Sequence, residues 1–256
     1  MPWIQVTWTR FDGSSSPRSK SAWNYRLLTN VGDRHVPVIA IDGPSGSGKG
    51  SLASALAQRL GWHLLDSGAL YRIVATVAIK RGIALDDESQ LAAAAASLDI
   101  SIDAQTVIVD GEDFTDLIRT APATSGSSQV AALVKVRAAI LAMQREMRRP
   151  PGLVADGRDM GTVVFPEAGL KIFLDAGAEV RAQRRYNQLK NKGLSVNLRA
   201  LLAAIKERDE RDRRRAVSPL KAAEDAIIID STAMNLDEVV AEVYAEVVAR
   251  RLAEGT

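Results

Sequence analysis

An apolar run, Val36-Pro37-Val38-Ile39-Ala40-Ile41-Asp42, leads straight into Gly43-Pro44-Ser45-Gly46-Ser47-Gly48-Lys49-Gly50, and a helical pattern begins at Ser51. A buried strand, a glycine loop carrying one lysine and a helix, in that order, constrain this chain more than any other feature. Glycine lets the backbone bend around a small anion so that successive N–H groups converge on it. The following helix aims its positive dipole end at the same point. Lys49 adds a mobile cation for outer phosphate oxygens. The segment predicts a phosphate-binding P-loop and, with it, a nucleoside triphosphate. The plain alternative, a glycine-rich turn with a chance lysine, is opposed by the strand before it and the helix after it.

The rest of the composition sets limits. A chain of 256 residues with 46 % hydrophobic content can form one large α/β domain with an inserted lobe. No stretch is long and apolar enough to span a bilayer, so no membrane partner is expected. Without cysteine there is no disulfide and no thiolate metal site, which fits a reducing cytoplasm. The formal charge is +2, but Arg10, Arg18, Lys20, Arg26 and Arg34 against Asp12 and Asp33 give residues 1–35 a charge of +3 and leave the remainder at −1. The remainder is no general polyanion binder. Its cations are clustered instead, as specific phosphate sites require. Residues 1–35, with Gly13-Ser14-Ser15-Ser16-Pro17 and no sustained periodicity, read as a disordered extension that activity does not need. Sparse acids with Ser and Arg are shared with transit peptides, but no amphipathic helix is evident, and a secretory signal needs a longer apolar stretch.

Five apolar runs, at 36–41, 62–65, 152–155, 171–174 and 226–229, each end on or just before an acid: Asp42, Asp66, Asp156, Asp175 and Asp230. Continuous apolar runs are what strands buried on both faces look like, and their carboxyl ends are where ligands bind in open parallel sheets. Helical patterns alternate with them. Leu52, Leu56 and Leu60 share a face, and Gly61 stands where a helix C-terminal glycine belongs. Residues 128–149 read as one long amphipathic helix stopped by Pro150-Pro151. Further helices are expected over 179–192, 196–215 and 237–252. Between helices, 99–103 and 106–110 read as short antiparallel strands of a small lobe spanning about 84–120.

Three segments carry candidate chemistry. In Asp66-Ser67-Gly68-Ala69-Leu70-Tyr71-Arg72, Ser67 reads as a helix N-cap, with Tyr71 and Arg72 in the opening turns at the mouth of the sheet. Acceptor binding and a merely capped helix both fit it. In Asp156-Gly157-Arg158-Asp159-Met160-Gly161-Thr162, Asp156 sits where P-loop proteins place a metal-orienting acid, and Arg158 and Asp159 project from a bend between glycines. The run Lys206-Glu207-Arg208-Asp209-Glu210-Arg211-Asp212-Arg213-Arg214-Arg215 puts Arg208, Asp212 and Arg215 on one helix face. It reads either as a salt-bridged, solvated helix or as an arginine lid for phosphoryl transfer. Its interleaved acids argue against a nucleic-acid patch. Arg137, at the margin of an apolar stripe, reads alone as structural.

Together these segments resemble bacterial-type cytidylate kinases over residues 38 to about 252. Lys-Gly-Ser in place of Lys-Ser at Lys49-Gly50-Ser51 already resembles nucleoside monophosphate kinases. The most specific block is Asp156-Gly157-Arg158-Asp159-Met160-Gly161-Thr162-Val163-Val164-Phe165-Pro166, supported by Leu64-Leu65-Asp66-Ser67-Gly68, Ser128-Gln129-Val130-Ala131, Lys171-Ile172-Phe173-Leu174-Asp175 and the 206–215 run. The resemblance implies a five-stranded parallel sheet flanked by helices, with a nucleotide-binding insert, a short lid at about 206–218 and a single kinase domain over 36–256. It implies transfer of the γ-phosphoryl of ATP to CMP or dCMP. By that resemblance Gly43 to Ser51 would hold ATP, with Ser51 as a Mg²⁺ ligand. Ser67, Ser128, Arg137 and Asp159 would read cytosine or position its contacts. Arg72, Arg158 and Arg215 would hold the acceptor phosphate, Arg208 and Asp212 would face the ribose and the transfer zone, and Tyr71 would lie against the acceptor. Lys49, Arg158, Arg208, Asp212 and Arg215 would serve catalysis in a cytoplasmic monomer. Other readings stay open: a small P-loop kinase for AMP, dTMP or a metabolite, a nucleotide-gated RNA- or protein-binding module, and a non-catalytic regulator.

Overall fold

The structure is a computed structural model and describes residues 36–102, 106–191 and 193–253; the expected N-terminal extension lies outside them. The elements run in chain order β1 (Val38–Asp42), α1 (Lys49–Leu60), β2 (His63–Asp66), α2 (Ser67–Arg81), α3 (Glu88–Ser97), β3 (Ile100–Ile102), β4 (Val107–Val109) and β5 (Glu112–Asp113). There follow α4 (Ala121–Val130), α5 (Val134–Glu146), β6 (Leu153–Asp156), β7 (Leu170–Asp175), α6 (Ala178–Asn191), α7 (Leu198–Arg214), β8 (Ile227–Asp230) and α8 (Leu236–Ala249). A π-turn, Met160–Val164, separates β6 from β7.

Five strands form a parallel sheet in the order β2-β6-β1-β7-β8. The chain leaves β1 on one side to reach β2 and β6, and passes to β7 and β8 on the other. That reversal opens a crevice at the carboxyl end of β1, and the P-loop begins there. Side chains of a strand alternate between faces. Val38 and Ala40 of β1 enter one buried cluster with α2, α3 and α5, while Ile39 and Ile41 enter a second with α1 and α8. Burial on both faces is why β1 carries no polar residue before Asp42. The expected strand-end acids fall into two in-register pairs, Asp66 opposite Asp156 and Asp175 opposite Asp230, while Asp42 of the central strand stands opposite Phe173.

Two local expectations are corrected. The helix expected over 128–149 is two helices, α4 and α5, bent by 101°. Thr120 caps α4 through its hydroxyl, and Pro122 favours an early start. The chain breaks after Val130, where Leu133 is extended, and the freed Ala131 carbonyl accepts from Arg137 Nη1 at 3.2 Å and Arg215 Nη1 at 3.4 Å. A side chain of α5 itself and one 84 residues away thus hold the break open, which no local periodicity signals. Ser67 is not the N-cap of α2. Asp66 caps it, accepting from Ala69 N at 2.9 Å, and Ser67 is the first helical residue.

The short strands at 99–110 pair antiparallel and gain a third, β5, across a turn with Asp110 at φ 50° and Gly111 at φ 80°. Leu91, Val107, Phe114 and Ile118 of this lobe join the buried cluster that contains Val38 and Leu65. The lobe therefore has no core apart from that of the main sheet. Among the described residues no single helix is long and apolar enough to cross a membrane.

β6 meets β2 at its amino end through Gly152, whose carbonyl accepts from His63 N at 2.9 Å. A Cβ there would lie 2.3 Å from the buried Trp62 ring. Gly152→Ala is expected to cost about 1–3 kcal/mol through overpacking, read as a lower urea midpoint with an unchanged slope.

Candidate active site

β1 delivers the chain into a loop that only glycine can follow. Gly43 has φ +147°, and a Cβ on it would lie 2.0 Å from the Leu174 carbonyl oxygen. Gly48 precedes α1 in the left-handed region, and no side chain caps the helix. The first N–H groups of α1 thus lack a side-chain acceptor, as phosphate binding requires. Lys49 opens α1 buried, with Nζ donating to the Pro44 carbonyl at 2.9 Å and 3.9 Å from Asp156 Oδ1. Asp156 crowds Gly50, where a Cβ would lie 3.3 Å from its Oδ2. Ser51 is exposed. With Ser47, Gly48, Arg184, Met234 and Asn235 it lines a cavity of about 240 Å³ beside the loop.

Two arginines of α6 brace the P-loop from outside. Arg181 donates to the Ser45 carbonyl at 3.0 Å and the Ala176 carbonyl at 2.8 Å, and grips Asp209 of α7 at 2.6 and 3.1 Å. Arg184 donates to the Ser47 carbonyl at 3.2 Å and the Ser231 carbonyl at 2.6 Å. Sequence reasoning missed both, along with Asp209 and Asp42. The one signal available was their i, i+3 spacing on a helix following the P-loop sheet.

On the other side of Lys49 the expected acceptor residues converge. Asp212 is buried and accepts from Arg158 Nε at 3.1 Å and Ser128 Oγ at 3.2 Å, with Arg208 Nε at 3.9 Å. Arg137 and Asp159 form a buried ion pair, and the Arg137 guanidinium lies 5.6 Å from the centre of the Tyr71 ring. Ser67 is buried beneath the turn after β6, its Oγ 2.7 Å from where a Cβ on Gly157 would stand. Arg72 lies at the more open edge, paired to Asp66 at 2.8 Å. The structure thus joins Lys49, Arg158, Arg208, Asp212, Arg215, Ser128, Arg137, Asp159 and Tyr71 in one cleft. Ser67 lies buried beneath the turn that carries Arg158 and Asp159, Arg72 stands at the open edge, and Ser51 lines the separate cavity.

The charges in this cleft oppose one another. Burial pulls the Lys49 ammonium down to about 8, and the like charges of Arg158 and Arg208 add to the effect. Burial and Arg158 bring Arg208 down to about 10. Burial raises the Asp156 carboxyl above the usual range despite Lys49, and pushes the Tyr71 phenol up to about 12. Burial works against ionised Asp212, but Arg158, Arg215 and Arg208 overcome it and hold its carboxyl low. Arg208 Nε, Arg215 Nη2, Tyr71 Oη and Ser47 Oγ are buried with no hydrogen-bond partner. Crowded cations with donors to spare, next to uncapped helix amides, form a receptor for more than one phosphate.

A family model of cytidylate kinases matches residues 39–249. The chain belongs to the cytidylate kinase family. It is 56 % identical over 213 residues to the cytidylate kinase of Aeromonas salmonicida (strain A449), covering 82 % of this chain and 93 % of that one. It is 59 % identical over 211 residues to that of Pseudomonas aeruginosa (strain UCBPP-PA14), covering 80 % and 92 %. It is 55 % identical over 222 residues to that of Azotobacter vinelandii (strain DJ / ATCC BAA-1303), covering 84 % and 97 %. As a member of this family the chain is a nucleoside monophosphate kinase, and it phosphorylates CMP and dCMP with ATP as the phosphate donor.

An anion seated beside Lys49 favours its charged form, so ATP binds best below pH 8 and more weakly as pH rises through about 8. Calorimetry near pH 8 in buffers of different ionisation enthalpy should show proton uptake on binding. Binding without net uptake would exclude a titrating Lys49.

Proposed function

We propose that this cleft performs the transfer with its two anions side by side, the triphosphate in the P-loop and the acceptor phosphate among Arg72, Arg158 and Arg215. The observation that supports this most strongly is that Arg158, from the turn after β6, and Arg208, from α7, meet on one buried carboxylate, Asp212, at 3.1 and 3.9 Å, and that their charges reach the buried Lys49 ammonium. The adenosine end of ATP fits the cavity of about 240 Å³ bounded by Ser47, Arg184, Met234 and Asn235.

A monophosphate already carries an anionic oxygen near neutral pH, its second pKa being about 6. No general base is needed. That oxygen attacks the γ-phosphorus, the bond between γ-phosphorus and the bridging oxygen breaks, and ADP leaves with the electron pair. Lys49 and the α1 amides hold the donor. Arg158 and Arg208 screen the charge between donor and acceptor and keep the two in line. α7 brings Arg208, Asp212 and Arg215 over the cleft as an arginine lid at about 206–218.

Among the described residues no cluster of three or more His, Cys, Asp or Glu can hold a metal. Magnesium does not need one, since it takes one or two protein oxygens and completes its shell with water and phosphate. The Ser51 hydroxyl, with Asp156 close behind Gly50, fits that donor set. Mg²⁺ would neutralise charge on the β- and γ-phosphates.

Cytosine carries an exocyclic amine where uracil has an oxygen. The Asp159 carboxylate, held by Arg137 beside Tyr71, would accept from that amine and repel the oxygen. A single copy of the fold brings the proposed residues together, which is compatible with action as a monomer, and ATP and CMP as substrates favour the cytoplasm. Two of the α7 surface cations are already paired, Arg211 with Glu207 and Arg214 with Glu210, which weighs against a nucleic-acid partner. Residues 36–256 then act as one kinase domain, with 84–120 as its insert.

A coupled assay over CMP, dCMP, UMP and AMP should show turnover with the cytidine nucleotides. Arg158→Ala should lower kcat by about 100-fold or more while the fold persists. Near-normal turnover would remove Arg158 from the proposed role. Asp159→Ala should reduce the preference for CMP over UMP by at least about tenfold, and an unchanged ratio would assign base choice elsewhere.

A further inference from the structure

We propose that Asp42, the last residue of β1, is a positioning residue for the acceptor half of the site. Asp42 is 4 % exposed. Its Oδ1 accepts from Met160 N at 2.8 Å, and its Oδ2 accepts from Gly161 N at 2.8 Å. Those two amides follow directly after Arg158 and Asp159. The other end of the same turn is tied to the same strand, with Gly157 N donating to the Ile41 carbonyl at 3.0 Å. Residues 41 and 42 therefore hold the Arg158–Asp159 bend from both sides.

The fit depends on a bare position. A Cβ on Gly161 would lie 3.5 Å from Asp42 Oδ2 and 3.1 Å from Lys171 Cδ. A methyl group there would have to push the Lys171 stem aside slightly while just touching the carboxylate, so a larger side chain would crowd both. Beyond the clamp the turn closes on itself, with Val163 N and Val164 N both donating to the Asp159 carbonyl. The next residue after Asp42 is Gly43, where the P-loop starts. One carboxylate thus fixes where the acceptor loop stands relative to the triphosphate loop, a distance that in-line transfer tolerates poorly when altered. An acid buried this deeply carries a cost in desolvation. A mere strand-end role would be met by an apolar residue, and the paired amide bonds are what the carboxylate adds.

This inference rests on the reading that Arg158 and Asp159 serve the acceptor. The test uses the full chain and steady-state kinetics with CMP and ATP varied separately. Asp42→Asn keeps the volume but sets an NH₂ against one of the two amides. It should raise KM for CMP several-fold and lower kcat about tenfold or more, with KM for ATP within about twofold. Gly161→Val leaves the acid in place but drives a branched side chain against the Lys171 stem and the carboxylate, so it should give the same CMP-selective pattern. The double variant should be no worse than the more damaged single one. In ¹⁵N-resolved NMR the Met160 and Gly161 amides should exchange faster in Asp42→Asn. A loss confined to ATP, or equal for both substrates, overturns the proposal, because the acid then serves the P-loop or overall stability. Wild-type kinetics in both variants, with Arg158→Ala impaired, overturns the clamp alone. Wild-type kinetics in Arg158→Ala overturns the acceptor reading and the clamp with it.

Discussion

Repulsion among cations packed around the buried Lys49 is the constraint on which the rest of this molecule depends. Lys49, Arg158 and Arg208 come from β1–α1, the turn after β6 and the last turns of α7, and nothing local in sequence brings them together. Their crowding weakens the folded state unless something offsets it. The fold supplies acids placed between the cations: Asp156 beside Lys49, and Asp212 beneath Arg158 and Arg208. These acids balance the cleft only in part, since Arg208 Nε and Arg215 Nη2 stay without a hydrogen-bond partner. In the proposed reaction the remaining positive charge would draw the phosphates, and its placement before they arrive would leave little rearrangement to oppose transfer.

A parallel sheet makes such crowding possible. Every strand presents its carboxyl end to the same edge, so five different chain segments can each deliver one polar residue there while the rest stays apolar. Asp42, Asp66 and Asp156 illustrate the economy. Asp42 clamps a loop, Asp66 caps α2 and pairs with Arg72, and Asp156 faces Lys49. Each acid does a different job because each stands beside a different set of donors, although all three end a strand in the same way.

That distinction marks where the sequence was informative. The strand runs, the P-loop and the acids at the strand ends could be read directly, because burial on two faces and a glycine-lysine loop leave strong one-dimensional patterns. The grouping of Arg208, Asp212 and Arg215 followed from helical spacing alone. The α4–α5 break did not, since it is held by Arg137 of α5 folding back onto the Ala131 carbonyl and by Arg215 reaching the same atom from elsewhere in the fold. The cap of α2 was misplaced by one residue because Asp66 and Ser67 are both good caps, and the ion pair with Arg72 favours the acid. Asp42 was read as a strand end, and the amides it binds lie 118 and 119 residues away.

The pair Arg181–Asp209 follows the same logic from the outer side of the cleft. A buried ion pair gains little net stability over an apolar contact, but it is costly to misalign. Arg181 binds a P-loop carbonyl, a carbonyl after β7 and the carboxylate next to Arg208 at once. A displacement of α7 relative to the P-loop would break this arrangement and leave two buried charges unpaired. The pair therefore defines where the arginine helix sits over the phosphates, as Asp42 defines where the acceptor turn sits. Distance between donor and acceptor is set from two sides by carboxylates that need not touch either nucleotide.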